Sequence, residues 1–196
     1  AGKLGETLIR GLVDAGAVEP GGIVVTTRHP ERAEQLAGSI RATAVAANAE
    51  AAATADVILL SVKPQSMPEV LTEIAPALKP GQLVISVAAS VSIAFIEKHL
   101  PPSIAVVRAM PNTPAQVGRG VTGLARGSRT SDTQAAMVEA LFSTVGEVLV
   151  VKEDQINALS SISGSGPAYV YLFIEHFMGV ARQKGFTEHH ARVMVE

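Results

Sequence analysis

The sequence predicts an α/β fold: a doubly wound, mainly parallel sheet followed by a smaller all-helical region. Three observations carry this expectation. Apolar runs of strand length alternate with segments of helical period through residues 1–152. The run at 56–62 is nearly continuous in apolar residues, as in parallel strands covered on both faces. After Lys152 the strand pattern stops and only helical period remains.

Taken in order, residues 4–15 place Leu4, Leu8, Leu12 and Val13 on one helical face, and Gly16 ends the pattern. Residues 22–27 are rich in β-branched side chains and read as a strand. Residues 30–36 read as a short helix, with Pro30 in the first turn where proline is tolerated. A weak strand is expected at 40–45, and an alanine-rich helix follows Asn48. Beyond the strand at 56–62 come a helix at 67–78, the turn Lys79-Pro80-Gly81, a strand at 83–87, a helix at 93–99 and a strand at 104–110. Two further strands, at 121–125 and 148–151, flank a helix at 133–144. Such alternation implies right-handed crossovers.

The last third is different. Helices are expected at 154–162 and 167–184, and Thr187 begins another. The second is apolar on most of its circumference, through Tyr169, Val170, Tyr171, Leu172, Phe173, Phe177 and Met178. Such a helix needs more than one neighbour to cover it, and a partner subunit is the expected cover. The chain therefore divides near Lys152, into residues 1–152 and 153–196.

Composition narrows the function classes. Of 196 residues, 47% are hydrophobic and 17% charged, and Lys+Arg 16 against Asp+Glu 18 gives a net charge of −2. That balance argues against nucleic-acid binding or attachment to an anionic membrane. With no cysteine there is no disulfide framework, thiolate nucleophile or Cys-ligated metal, and a reducing cytoplasm fits. The uncharged run at 156–174 contains serines, glycines and Pro167 and lacks the solid apolar span of a membrane helix. No metal site is expected, since His189 and His190 are adjacent and point different ways on a helix. The chain opens on half a motif and stops inside a helical pattern, so it reads as a fragment at both ends.

That half motif is Gly2-Lys3-Leu4-Gly5, which matches the last two glycines of G-x-G-x-x-G, the first falling ahead of Ala1. In such a turn one glycine lets the backbone approach a pyrophosphate, another allows close helix–strand packing, and the helix N-terminus faces the phosphates. An NAD-preferring site places a carboxylate about 20 residues further on, at the end of the second strand. No Asp or Glu lies between Glu19 and Glu31; Thr26, Thr27 and Arg28 instead offer hydroxyls and a guanidinium suited to a 2′-phosphate. NADP is therefore expected over NAD. Ligands of doubly wound sheets lie beyond the carboxyl ends of the strands. The segments that end there are Ser61-Val62-Lys63-Pro64, Val87-Ala88-Ala89-Ser90 and Met110-Pro111-Asn112-Thr113-Pro114. The turn Ser163-Gly164-Ser165-Gly166-Pro167 either presents N–H groups to an anion or simply lets two helices pack closely; spacing does not decide.

Three of these segments resemble motifs of one family. Val107-Arg108-Ala109-Met110-Pro111-Asn112-Thr113-Pro114, with Val121-Thr122-Gly123 behind it, is similar to the central motif of pyrroline-5-carboxylate reductases. Ser161-Ile162-Ser163-Gly164-Ser165-Gly166-Pro167-Ala168-Tyr169 resembles that family's loop–helix motif, and Ser61-Val62-Lys63-Pro64-Gln65 its cofactor loop. The resemblance implies NAD(P)H-dependent reduction of 1-pyrroline-5-carboxylate to L-proline, the last step of proline biosynthesis, by a cytoplasmic enzyme. It implies an N-terminal Rossmann-like NADP domain at 1–152. It also implies the start of a helical domain at 153–196 that interlocks into homodimers, often assembled further into decamers. By match, the cofactor would lie against Gly2, Lys3, Leu4, Gly5, Thr27, Arg28, Asn48, Val62, Lys63, Pro64, Ala88 and Ala89. Asn112 and Thr113 would lie by the nicotinamide, and Ser163, Gly164, Ser165 and Gly166 would line the pocket. Ser90 stands where the family more often has glycine. The family's substrate loop falls beyond Glu196, so contacts to the substrate carboxylate and imine are not assigned.

Reduction of a protonated cyclic imine asks for positioning more than for a dedicated acid, which agrees with the scarcity of catalytic-looking side chains. No proton donor is assigned. Two alternatives stay open: a non-catalytic NADP-binding sensor or scaffold, and a β-hydroxyacid reductase of the same architecture. The latter would need a lysine on the helix at 154–162, and there is none.

Overall fold

The computed structural model describes residues 2–196, apart from the Lys3 side chain. The chain opens with α1 (Lys3–Asp14), followed by β1 (Val24–Val25), α2 (Pro30–Ile40), β2 (Thr43–Ala44) and α3 (Asn48–Thr54). It continues through β3 (Val57–Leu60), α4 (Met67–Ile74), β4 (Leu83–Ser86), α5 (Ile93–His99) and β5 (Ala105–Met110). β6 (Gly120–Arg126), α6 (Asp132–Ser143) and β7 (Gly146–Val150) complete the strand-bearing part. Beyond it lie α7 (Gln155–Leu159), a π-helical turn at Ser160–Gly164, α8 (Gly166–Gln183) and α9 (Glu188–Val195).

β1 and β2 pair in parallel as a two-stranded sheet, and β3-β4-β5-β6-β7 form a five-stranded one. β3, β4 and β5 are parallel, β6 runs antiparallel to β5, and β7 is parallel to β6. The reversal has a simple cause. A parallel crossover needs a dozen or more residues, and only residues 111–119 join β5 to β6, whereas α6 joins β6 to β7. The mainly parallel, doubly wound arrangement expected from the alternation is thus the observed one.

Both faces of the larger sheet are covered at its centre, while β7 at its edge leaves Leu149 and Val150 exposed. Val84, Val106 and Ala125 pack with Leu71, Ile74, Ile96 and Ile156 on one face; Leu83, Ile85, Val107 and Leu124 pack with Leu8, Val138 and Phe142 on the other. All of β4 is buried. Burying a side chain such as Ile85 is worth about 1.5–3 kcal/mol relative to leaving it exposed, so this double cover dominates the stability of the sheet. A smaller cluster of Val25, Leu36 and Ile40 holds α2 on the two-stranded sheet.

Two expectations change in detail. The strand read at 22–27 shrinks to β1 because Pro20–Gly22 form a tight helical turn. The helix read at 154–162 gives way after Leu159 to the π-helical turn, which runs on into α8, so the glycine-rich segment is a continuous helical path. α8 leaves Tyr169, Phe173 and Phe177 exposed, Phe173 at 67%, so of its apolar circumference Met178 is buried within the chain and most of the rest is uncovered. His176 is exposed on the same helix. Among the described residues no helix is long and apolar enough to cross a membrane.

Gly146, which starts β7, has φ +146, and a Cβ there would lie 2.0 Å from the Gly120 carbonyl oxygen of the paired strand. Replacing Gly146 with alanine is expected to lower unfolding free energy by about 3 kcal/mol, through backbone strain and broken pairing at the head of β7. Urea denaturation of both proteins measures it.

Candidate functional site

The parallel register of β3, β4 and β5 brings their carboxyl ends to one edge, and the segments beyond them supply Val62, Lys63, Pro64, Ala88 and Ala89 among the expected cofactor positions. The start of α1 meets that edge: among the described residues a Cβ on Gly2 would find only the Ser61 carbonyl oxygen, at 3.8 Å. Among the described residues the space in front of position 2 is therefore open. Gly2 is the N-cap, extended at φ −88 and ψ −175, and no side chain caps the helix. The first N–H groups of a helix have no partner within it, and with the dipole they make a seat for an anion. Leu4 is partly exposed and Gly5 buried at this start; the Lys3 side chain lies outside the described residues.

Cations gather beside this seat. Arg28 follows β1 on the exposed surface, and its Nη2 donates to Ser66 Oγ at 2.5 Å, which anchors the guanidinium to the turn after Lys63. Lys63 is exposed, and Pro64 opens a tight helical turn behind it; Val62 is tucked against the core. Thr27 is taken up locally: its Oγ1 donates to the His29 carbonyl at 2.6 Å and accepts from the His29 N–H at 3.1 Å. Asn48, at the start of α3, accepts from Thr26 Oγ1 through Oδ1 at 2.7 Å. Ala88 is buried and Ala89 exposed after β4. Ser90, flagged for replacing a glycine, sits at φ +60, the left-handed region that favours glycine.

The segment after β5 joins the edge to the helical region. Asn112 is only 8% exposed; its Nδ2 donates to the Ser163 carbonyl at 2.8 Å, and its Oδ1 accepts from the Val121 N–H at 2.8 Å. Thr113, the next residue, is exposed and begins a tight turn over Thr113–Val117 that lies against α1. On the other side of the Asn112 bond is the π-helical turn. A π-helical turn is rare in proteins and concentrates at functional sites. There the Ser163 hydroxyl donates to the Leu159 carbonyl at 3.0 Å, and a Cβ on Gly164 would meet Ser160 Oγ at 2.9 Å. The Ser165 N–H donates to the Ser160 carbonyl at 3.1 Å, so it is spent within the helix and does not face a ligand. Gly166 borders open space.

Sequence reasoning missed a second tie between the same elements. Arg108 on β5 is 4% exposed; its Nη1 lies 3.3 Å from Glu153 Oε1 and its Nη2 donates to Asn157 Oδ1 at 3.4 Å. The same Glu153 oxygen accepts the Ile93 N–H of α5 at 2.6 Å, while the buried Arg108 Nε has no hydrogen-bond partner among the described residues. The available signal was one arginine inside an otherwise apolar strand run, because a charge so placed requires a partner. Glu73 and Ser66 were missed as well; nothing local marks either.

Comparison with known proteins agrees with this layout. Residues 1–90 match a family model described as "NADP oxidoreductase coenzyme F420-dependent", and residues 153–196 one described as "Pyrroline-5-carboxylate reductase dimerisation". The chain is 41% identical to the pyrroline-5-carboxylate reductase of Corynebacterium melassecola over 89% of its own length, and 39% identical to that of Pseudomonas aeruginosa over 95%. It spans 65% of the first relative and 68% of the second. The crystal structure of Plasmodium falciparum pyrroline carboxylate reductase with NADP bound superposes with a TM-score of 0.89 at 27% identity, covering 99% of this chain and 71% of that one.

Removing Glu153 strands a buried guanidinium and an N–H of α5. Glu153→Ala is therefore expected to lower stability by about 3 kcal/mol, and Arg108→Met by clearly less, since methionine fills the space without a charge. Ser90→Gly is expected to raise stability by about 1 kcal/mol, by relieving the left-handed strain. Denaturant midpoints of the three variants against the natural chain measure these effects.

Proposed function

The chain belongs to the pyrroline-5-carboxylate reductase family, and on that premise we propose that the protein reduces 1-pyrroline-5-carboxylate to L-proline, with NADPH preferred over NADH. The observation that carries the proposal is the Asn112–Ser163 hydrogen bond, which ties the dinucleotide edge of the sheet to the π-helical turn. One element receives a cofactor and the other faces what the cofactor reduces.

The residues present suit the dinucleotide. The uncapped start of α1 at Gly2, Lys3, Leu4 and Gly5 would seat the pyrophosphate. Thr27, Arg28 and Asn48 would receive the adenosine end, with Arg28 held ready for a 2′-phosphate by Ser66. Val62, Lys63, Pro64, Ala88 and Ala89 would line the path along the edge, and Lys63 would offset phosphate charge. Bound there, the reduced nicotinamide supplies the hydride. Asn112 and Thr113 would border the ring, with Asn112 acting through its grip on the π-helical turn as much as by contact. Ser163, Gly164, Ser165 and Gly166 would line the imine pocket. These residues orient and enclose, the larger part of the task when the substrate is already electrophilic.

In the same reading, residues 1–152 are the NADP domain and residues 153–196 begin the helical domain for dimerisation and substrate. The exposed apolar face of α8 would be covered by a second subunit of a homodimer, and dimers would assemble further, up to a decamer. A cytoplasmic location belongs to the same proposal.

Full-length protein supplied with 1-pyrroline-5-carboxylate is expected to oxidise NADPH faster than NADH, followed by nicotinamide absorbance. Arg28→Ala is expected to lower the NADPH-to-NADH ratio of kcat/KM by about tenfold or more, the scale of a charge-assisted contact to phosphate. Failure to oxidise either cofactor would overturn the proposal, and an unchanged ratio in the variant would remove Arg28 from it.

A further inference from the structure

The loop after β1 carries no carboxylate, yet the fold brings one to its neighbour. Glu73, on the last turn of α4, accepts the main-chain N–H of Asn48 through Oε1 at 2.9 Å and its Nδ2 through Oε2 at 2.7 Å. The Asn48 Oδ1 accepts from Thr26 Oγ1, just beyond β1. A carboxylate is an acceptor only, so only the NH₂ end of the Asn48 carboxamide can face Glu73. The amide is thereby locked: its carbonyl is turned toward Thr26, and the group it retains for a ligand is its second N–H. A phosphate accepts hydrogen bonds from such a donor. A ribose hydroxyl is served as well by a carbonyl as by an N–H.

We propose that Glu73 is a positioning residue that sets dinucleotide specificity: by accepting the main-chain N–H and one side-chain N–H of Asn48, it presents the other side-chain N–H as a donor and so favours a 2′-phosphate over a free 2′-hydroxyl. The inference rests on the reading that the dinucleotide's adenosine end lies at Thr27, Arg28 and Asn48. Glu73 also acts in the opposite sense, since its own charge repels a phosphate. The side chain is exposed, so solvent and salt screen that repulsion. Both of its oxygens are occupied by Asn48, and the effect through Asn48 prevails.

The opposite signs make the proposal testable. Glu73→Gln keeps shape and removes charge, but offers one acceptor where two are needed and adds a donor that turns the Asn48 amide around. The ratio of NADH to NADPH dissociation constants, titrated by nicotinamide fluorescence on full-length protein, is expected to fall about tenfold, the scale of one hydrogen bond to a charged partner. Glu73→Asp keeps the charge and loses the reach, and is expected to move the ratio the same way, so either variant carries the test if the other does not fold. In an Asn48→Ala background Glu73→Gln is expected to lower the ratio no further, because with that amide gone only the screened repulsion is left to lose, and its loss acts in the other direction. An unchanged or raised ratio in the single variants, or a further fall in the Asn48→Ala background, overturns the inference while leaving the cofactor reading intact. A natural protein that binds neither dinucleotide, or binds NADH at least as tightly, overturns both.

Discussion

Every residue of β4 is buried because helices cover the sheet on both faces, and this double cover shapes the rest of the molecule. With both faces taken, the ends of the strands are where the backbone meets solvent. Parallel pairing of β3, β4 and β5 then puts all three carboxyl ends on one edge. A helix that returns along the face starts at that same edge, so α1 delivers its unpaired N–H groups beside Ser61. Gathering polar loops, a helix N-terminus and two exposed cations at one place thus follows from burying the faces.

The helical region is joined to this edge by two polar ties of different character. Asn112 is a neutral bracket: its carboxamide satisfies a carbonyl in the π-helical turn and an N–H of β6 at once. Arg108 with Glu153 is a charged one. A buried ion pair adds little net stability, but breaking it is costly, because the remaining charge keeps its desolvation penalty without compensation. Its effect is therefore on position. A shift of α7 that separated Glu153 and Asn157 from Arg108 would leave the guanidinium stranded, so the entry to the helical region is held to a narrow range of placements. The π-helical turn that follows inherits that precision.

Much of the fold could be read from the chain alone. The helix at 93–99 was read with the bounds the structure has, and the strands at 83–87 and 104–110 within a residue, because burial recurs with the period of the local backbone. The weakest readings lie where that period is overridden. β1 is cut short by Pro20–Gly22, and the helix begun at Gln155 changes to a π-helical turn to meet Asn112. Of the site, the half glycine motif, Arg28 and the Ser61–Pro64 segment were visible because each is continuous in sequence. Ser90 was visible only as a departure from a family pattern, and its left-handed conformation gives the physical content of that departure.

Local residue order was enough for the architecture, the strand ends and the helix start that meets them, since side-chain type and spacing dictate which face is buried and where the chain turns. Three-dimensional packing alone decided the pairings: Glu73 with Asn48 across 25 positions, Arg28 with Ser66 across 38, Arg108 with Glu153 across 45 and Asn112 with Ser163 across 51. A hydrogen bond depends on a few ångströms and an angle, and neither is set until the elements carrying the two partners have docked.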